Sequence, residues 1–203
     1  MLAIIDYGVG NLFSLKSSLK AVGVKAVVTN NPEEIRKADR LILPGVGAFG
    51  DAAKKLFDSG LCGVITEKVQ NGTPIMGICL GMQLLCEKSY EYGEHKGLGF
   101  LKGKVIGMEN TIPEGLKIPH IGWNALKFTK QSPIFKYINE GDCVYFVHSF
   151  YAVDCEDSLI ATTEYGKDLT AAVGKGNVYG CQFHPEKSGS VVLKILKAFS
   201  EVY

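Results

Sequence analysis

The stretch Pro74-Ile75-Met76-Gly77-Ile78-Cys79-Leu80-Gly81-Met82-Gln83-Leu84-Leu85-Cys86-Glu87 changes character at its middle. Pro74 to Ile78 is a short apolar run suited to a buried parallel strand. Leu80 to Glu87 reads as a helix. At the junction, Gly77-Ile78-Cys79-Leu80-Gly81 has the spacing of a nucleophile elbow, with cysteine in place of serine. Such a turn holds the nucleophile in a strained backbone conformation that lifts its side chain clear of the sheet. Close packing on either side favours glycine two residues away. The helix that follows points its N-terminus at the sulfur and favours thiolate over thiol. The alternative is a buried cysteine beside packing glycines, since the motif alone carries false positives.

Outward from this junction, strands and helices alternate. Leu2 to Asp6 is an apolar strand. Asn11 caps a helix running to about Val22, with Leu12, Leu15, Leu19 and Val22 on one face and Gly23 near its end. Val24 to Thr29 is β-branched and strand-like. Pro32-Glu33-Glu34 opens a short helix, and Leu41-Ile42-Leu43 is a further buried strand that runs into Pro44-Gly45-Val46-Gly47. Helices are expected over 49–58 and 61–71. This order implies an α/β fold with a mostly parallel central sheet flanked by helices. Ligands then sit beyond the carboxyl ends of the strands, at the turns after Asp6, Leu43 and Ile78. The second half adds a strand-rich portion, with candidates at 104–108, 117–119, 125–128, 142–147, 159–164, 169–174 and 177–183, separated by Gly, Pro, Asn and Asp signals. A last amphipathic helix, about 190–202, has Val191, Leu193, Ile195, Leu196 and Phe199 available for burial. With no repeat and no linker, residues 1–203 are expected to form a single domain.

Composition narrows the function classes. The formal net charge is +1, which gives no electrostatic footprint for nucleic acid or an anionic membrane. No apolar run reaches the ~20 residues of a membrane span. The N-terminus, beginning as a strand, lacks the marks of a signal peptide, so the expected compartment is the cytoplasm. The six cysteines, Cys62, Cys79, Cys86, Cys143, Cys155 and Cys181, include no C-x-x-C pair. In that compartment they are expected as thiols without a zinc site, and no cofactor is expected. Cys181, inside an apolar strand, is expected in the core. His120 and His148 are expected as hydrogen-bonded structural histidines, and His95 on a solvated loop.

A thiol nucleophile needs an imidazole base and a group that fixes the base's tautomer. His184-Pro185-Glu186 follows the strand-like run Asn177 to Phe183. Residues two apart in an extended segment project to the same side, and Pro185 favours that extension. Glu186 is thus a candidate to hold His184. The bland alternative is a surface histidine at a helix start with an acid favourably placed in the dipole. The loop Pro44-Gly45-Val46-Gly47 exposes backbone N–H groups. With Leu80 N–H, one from Val46 or Gly47 would form an oxyanion hole; a phosphate-binding nest competes, although no Walker lysine follows.

Taken together in this order, Pro44-Gly45-Val46-Gly47, Gly77-Ile78-Cys79-Leu80-Gly81-Met82-Gln83 and Gln182-Phe183-His184-Pro185-Glu186 resemble the three signature segments of the class I, or triad, glutamine amidotransferases. The resemblance covers the whole chain and implies a flavodoxin-like α/β fold. It narrows toward one branch: Asp6-Tyr7-Gly8-Val9-Gly10-Asn11, Pro119-His120-Ile121-Gly122-Trp123-Asn124 and His148-Ser149-Phe150-Tyr151 are similar to the glutaminase subunits of imidazole glycerol phosphate synthases. What the resemblance implies is a Cys79–His184–Glu186 triad that hydrolyses L-glutamine. It implies transfer of the ammonia to a separate (β/α)8-barrel cyclase subunit, within a heterodimer of histidine biosynthesis. Gln83, one helical turn from Cys79, should face the same mouth. The resemblance makes it a glutamine ligand, joined by Gly47, Ser149, Phe150 and Glu91. It also places Asn11, Trp123, Asn124 and Lys187 near the partner face. The family often has tyrosine after His-Ser where this chain has Phe150 followed by Tyr151, which is harmless if only backbone groups there touch glutamine. Rival expectations are the same glutaminase feeding a synthase of surface-sugar biosynthesis, another cysteine-elbow hydrolase, and a non-catalytic binding subunit with a vestigial elbow.

Overall fold

The computed structural model describes residues 1–109, 111–185 and 189–203. Its strands are β1 (Leu2–Ile5), β2 (Ala26–Thr29), β3 (Arg40–Leu43), β4 (Ile75–Ile78), β5 (Lys88–Ser89), β6 (His95–Lys96), β7 (Lys104–Gly107), β8 (His120–Phe128), β9 (Cys143–His148), β10 (Phe150–Val153), β11 (Leu159–Glu164), β12 (Asp168–Lys175) and β13 (Val178–Cys181). Its α-helices are α1 (Leu12–Ala21), α2 (Pro32–Lys37), α3 (Phe49–Asp58), α4 (Cys62–Gln70), α5 (Leu80–Leu84) and α6 (Gly189–Ser200).

Strands buried on both faces need cover on both, and helices supply it. In β1, Ala3 and Ile5 point into the core shared with α2, α3 and α4, while Leu2 and Ile4 point into the core shared with α1 and α6. The large sheet runs β2-β1-β3-β4-β13-β12-β11-β8-β9. Pairing is parallel from β2 through β13 and antiparallel from β13 outward. A second sheet, β10-β7-β5-β6, lies apart from it. The helix-flanked α/β sheet with a parallel core and a strand-rich second half is as expected, with the antiparallel strands making up four of its eight pairings.

Several local expectations are corrected. The separate strands at 117–119 and 125–128 are replaced by the single strand β8, which pairs with β9 over 120–125 and with β11 over 126–128. The β9 ladder carries the strand through Gly122 and Asn124, residues that read locally as breakers, and the β11 ladder continues it. The helix expected over 80–87 stops at Leu84. The carbonyls at its end are taken by a returning segment: Leu98 N–H donates to Leu84 O, Leu101 N–H to Leu85 O and Gly99 N–H to Cys86 O. β10 was not foreseen; it pairs with β7, far away in sequence. The last helix covers 189–200 instead of 190–202, with Ile195, Leu196 and Phe199 fully buried. The side chain of Val191 lies outside the described ones.

All six cysteines are free thiols, and Cys181 is fully buried as expected. His95 is not on a solvated loop. It sits in β6 with its ring directly beneath Gly50 of α3, where any side chain at position 50 would collide with it. Among the described residues no helix is long and apolar enough to cross a membrane.

Candidate active site

Cys79 joins β4 to α5 with φ 54° and ψ −113°, a left-handed conformation that L-residues other than glycine adopt at a cost. The surroundings hold it there. Cys79 N–H donates to Cys181 O of β13 at 2.7 Å, and Cys79 O accepts from Met82 N–H at 3.0 Å. The flanking glycines are required by contact. A side chain at Gly77 would come within 2.5 Å of the Gly81 carbonyl, and one at Gly81 would strike the carbonyl of Leu43. Gly45, in the loop after β3, meets the Gly81 amide in the same way. Three backbone segments thus cross at van der Waals distance, and the elbow exists because none of them carries a Cβ at the crossing.

A cavity of about 420 Å³ opens above the sulfur. Its walls include Val46, Gly47, Cys79, Leu80, Gln83, Glu91, Ser149, Phe150 and His184. These are all the residues expected at the catalytic, oxyanion and substrate positions except Glu186. Glu186 and Lys187 lie outside the described residues. His184 is buried, and its backbone N–H donates to Tyr145 O of β9 at 3.1 Å. Gly47 has φ +89°, which suits glycine at the turn of the 44–47 loop. Tyr7 braces that loop by donating its hydroxyl to Pro44 O at 2.7 Å. Burial, and then the charge of Cys79, push the Tyr7 phenol above its ordinary value, so it stays a donor.

Gln182 does more than its place in a strand-like run suggests. It is fully buried, and its Nε2 donates to Cys79 Sγ at 3.7 Å while its Oε1 accepts from Gln83 Nε2 at 3.0 Å. Gln83 Nε2 also donates to Phe150 O at 3.0 Å. With both amide hydrogens committed, Gln83 offers the cavity only its oxygen, an acceptor. A polar residue fully inside an apolar strand was the available signal, because buried amides have partners.

Glu91 accepts a hydrogen bond from Phe49 N–H at 2.7 Å, the first turn of α3, whose own N-cap Ala48 has no side-chain acceptor. Burial raises the Glu91 carboxyl above its ordinary value, opposed by the Phe49 N–H and by nearby His95. His120 and His148 are hydrogen-bonded, as expected, and to each other, which the sequence does not indicate; His148 also reaches the cavity wall. Pro119 and Tyr92 line the same cavity and were not foreseen.

Of the residues expected at a partner face, the described ones, Asn11, Trp123 and Asn124, are not in this cavity. Asn11 caps α1 by accepting from Ser14 N–H at 3.4 Å, and it lines a narrow crevice that also touches Pro44, Val46 and His184. Trp123 is 54% exposed on β8, edge-on to Tyr145, which decides against a core position. Asn124 is half-buried on the opposite face of β8.

A family model for class I glutamine amidotransferases matches residues 3–200. The chain belongs to the class I glutamine amidotransferases. This amidotransferase is 51% identical over 203 residues to the imidazole glycerol phosphate synthase subunit HisH of Caldanaerobacter subterraneus subsp. tengcongensis, spanning 100% of this chain and 98% of that one. It is 52% identical to the same-named subunit of Lactococcus lactis subsp. lactis, over 98% of each chain. A solved glutamine amidotransferase superposes with a TM-score of 0.75 at 21% identity over 98% of both chains, which establishes the likeness of the amidotransferase fold.

Proposed function

We propose that this chain is the glutaminase subunit of an imidazole glycerol phosphate synthase, acting as one glutamine amidotransferase domain over 1–203. The observation that carries the chemistry is the strained elbow. It presents Cys79 to a cavity whose wall also holds His184, with Gln182 donating to the sulfur from the side and held there by Gln83. The pathway rests on about half-identical, full-length relatives that bear that name.

In the proposed reaction the Cys79 thiolate attacks the side-chain amide carbon of L-glutamine. The carbonyl π pair moves to oxygen, where Leu80 N–H and an N–H of Val46 or Gly47 stabilise it. Donors so placed are worth about 3–4 kcal/mol in comparable sites. His184, held by Glu186, takes the thiol proton and returns it to the leaving nitrogen as the C–N bond breaks. Ammonia departs and a γ-glutamyl thioester remains. Water, deprotonated by His184, then cleaves the thioester to glutamate and restores the thiol. Gln83, Glu91, Gly47, Ser149 and the Phe150 backbone hold the amino-acid end of glutamine. No cofactor takes part.

The partner is proposed to be the (β/α)8-barrel cyclase subunit, in a cytoplasmic heterodimer, which uses the ammonia to make imidazole glycerol phosphate and AICAR. Ile121 and Trp123, more than half exposed and paired across the ladder with Val147 and Tyr145, give β8 and β9 an apolar outer face suited to docking. Asn11, Trp123, Asn124 and Lys187 are the proposed contact positions.

Labelling with a diazo-ketone analogue of glutamine tests the chemistry. Cys79 should be the alkylated residue, and Cys79→Ala should abolish both labelling and glutamine hydrolysis while the protein stays folded. Hydrolysis at the wild-type rate in that variant would falsify the nucleophile assignment. Co-purification with a barrel cyclase, and glutaminase turnover that rises when it binds, test the pathway.

A further inference from the structure

Behind the cavity three polar side chains form one line between two backbone carbonyls. Asn124 Nδ2 donates to Glu164 O at 3.0 Å, and Asn124 Oδ1 faces His120 Nε2 at 2.8 Å. His120 Nδ1 faces His148 Nε2 at 3.1 Å. His148 Nδ1 meets Phe150 O at 2.9 Å, the same carbonyl that accepts from Gln83.

The hydrogens along this line can be counted. Both ends are carbonyls, which only accept. At the cavity end, His148 Nδ1 must therefore carry a hydrogen. If His148 is neutral, its Nε2 is then a bare acceptor, and His120 Nδ1 must donate. At the far end Asn124 gives an amide hydrogen to Glu164, so its oxygen faces His120, and His120 Nε2 must donate too. Turning the Asn124 amide over only moves the conflict to the Glu164 carbonyl. The line is one proton short when both imidazoles are neutral.

Two features place the missing proton on His120. Its ring is fully buried between two aromatic faces, Tyr165 at 4.1 Å and Phe146 at 5.0 Å between centroids, each inclined by 20°. Faces of this kind stabilise a cation. His148 has a less favourable setting: burial, with the charges of His120 and His184, pushes it down to about 3. The titratable groups that face His120 are His148 from β9 and the Tyr165 phenol, whose hydroxyl donates to Lys117 O. Glu164, next in sequence, directs its carboxylate to Lys127.

We infer that His120 is a proton-dependent positioning residue, whose second proton closes a continuous hydrogen-bonded line from the end of β11 to the Phe150–Gln83 wall of the cavity. Burial opposes that proton and the Asn124 bond favours it, so the closed line forms on acidification. At neutral pH the break falls at the exposed link: the Asn124 amide turns over, its Nδ2 donates to the bare His120 Nε2, and Asn124 lets go of Glu164 O. The orientation of Asn124, beside exposed Trp123, is thereby coupled to the proton count behind the cavity. Only the bearing on glutamine binding rests on the function proposed above.

Long-range proton–nitrogen spectra of the full chain, labelled in histidine and asparagine, test this from pH 5 to 8. His148 should show hydrogen on Nδ1 alone throughout. His120 should pass from two protonated nitrogens to one as pH rises, and the Asn124 side-chain amide should exchange the Glu164 carbonyl for His120 Nε2 as its hydrogen-bond partner at the same midpoint. Asn124→Ala should lower the proton affinity of His120 by about tenfold, one pH unit in the midpoint. Tyr165→Leu should lower it in the same direction. A neutral His120 at every pH with the Asn124 amide keeping one partner throughout, or an unmoved midpoint in Asn124→Ala, would overturn the inference. The spectra require no turnover. Failure of the glutaminase assignment would appear as unlabelled Cys79 and would leave them unchanged.

Discussion

The two halves of the large sheet bury their strands differently. In the parallel half, β1 and β4 are buried at every position and β3 at all but its first. In the outer antiparallel ribbon, β8 and β9 alternate, with Val144, Phe146 and His148 buried and Cys143, Tyr145 and Val147 less so. A strand covered on both faces must be apolar throughout, whereas one covered on a single face need be apolar only at every second residue. The cavity lies at the seam between these regimes, where β4 and β13 run parallel and their carboxyl ends bring Cys79 and His184 to one wall. The parallel half holds Cys79 on a rigid, strained turn. The antiparallel half supplies side chains whose hydrogen bonds are adjustable.

The largest expected effect probes the antiparallel half. Phe146 is fully buried, edge-on to Phe183 at 5.8 Å and stacked on His120. Phe146→Ala should lower unfolding free energy by about 3–5 kcal/mol in denaturant titration. A loss under about 1 kcal/mol would mean that the ribbon is packed more loosely than the parallel half. In the parallel half, Gly81→Ala should cost about 3 kcal/mol, at the upper end of overpacking effects, because the added methyl meets the fixed Leu43 carbonyl instead of a movable side chain. Similar melting temperatures for Gly81→Ala and wild type would show that the crossing at the elbow can relax.

The strain at Cys79 gives a change of opposite sign. Glycine adopts φ 54° freely, so Cys79→Gly should stabilise the fold by about 1 kcal/mol while removing the thiol. Cys79→Ala keeps the positive φ and should gain nothing. Equal stability of the two variants would show that the elbow stores no backbone strain, and would weaken the contrast between a strained and an adjustable half.

The same contrast governs what was legible in the sequence. Leu2–Ile5, Leu41–Leu43 and Ile75–Ile78 announce themselves as apolar runs because burial on both faces leaves no other choice. The elbow was legible because glycines two residues on either side of a nucleophile record a backbone crossing. β8 differs from its local reading because pairing with β9 overrides Gly122 and Asn124, and no local pattern carries that information. β10 was invisible for the same reason. Gln182 escaped because its role depends on Gln83, 99 positions away, and on Cys79, 103 away. His120 and His148 were legible as bonded histidines, but their shared proton deficit requires knowing that both ends of the line are carbonyls.

The smallest effect tests whether surface charge contributes to the outer ribbon at all. Lys127 of β8 reaches Glu164 at 2.7 Å and Asp168 at 3.1 Å, bridging the ends of β11 and β12. All three side chains are about half exposed, so water screens the attraction and ordering the lysine opposes it. The hydrogen bonds to both carboxylates raise the lysine above its ordinary value, a shift that leaves it charged throughout the physiological range in either state. Lys127→Met should therefore leave the denaturant midpoint almost unchanged, with any residual difference vanishing at high salt. A larger, salt-resistant loss would show that the ribbon depends on this bridge, and that its alternating apolar face alone does not hold β8 against β11.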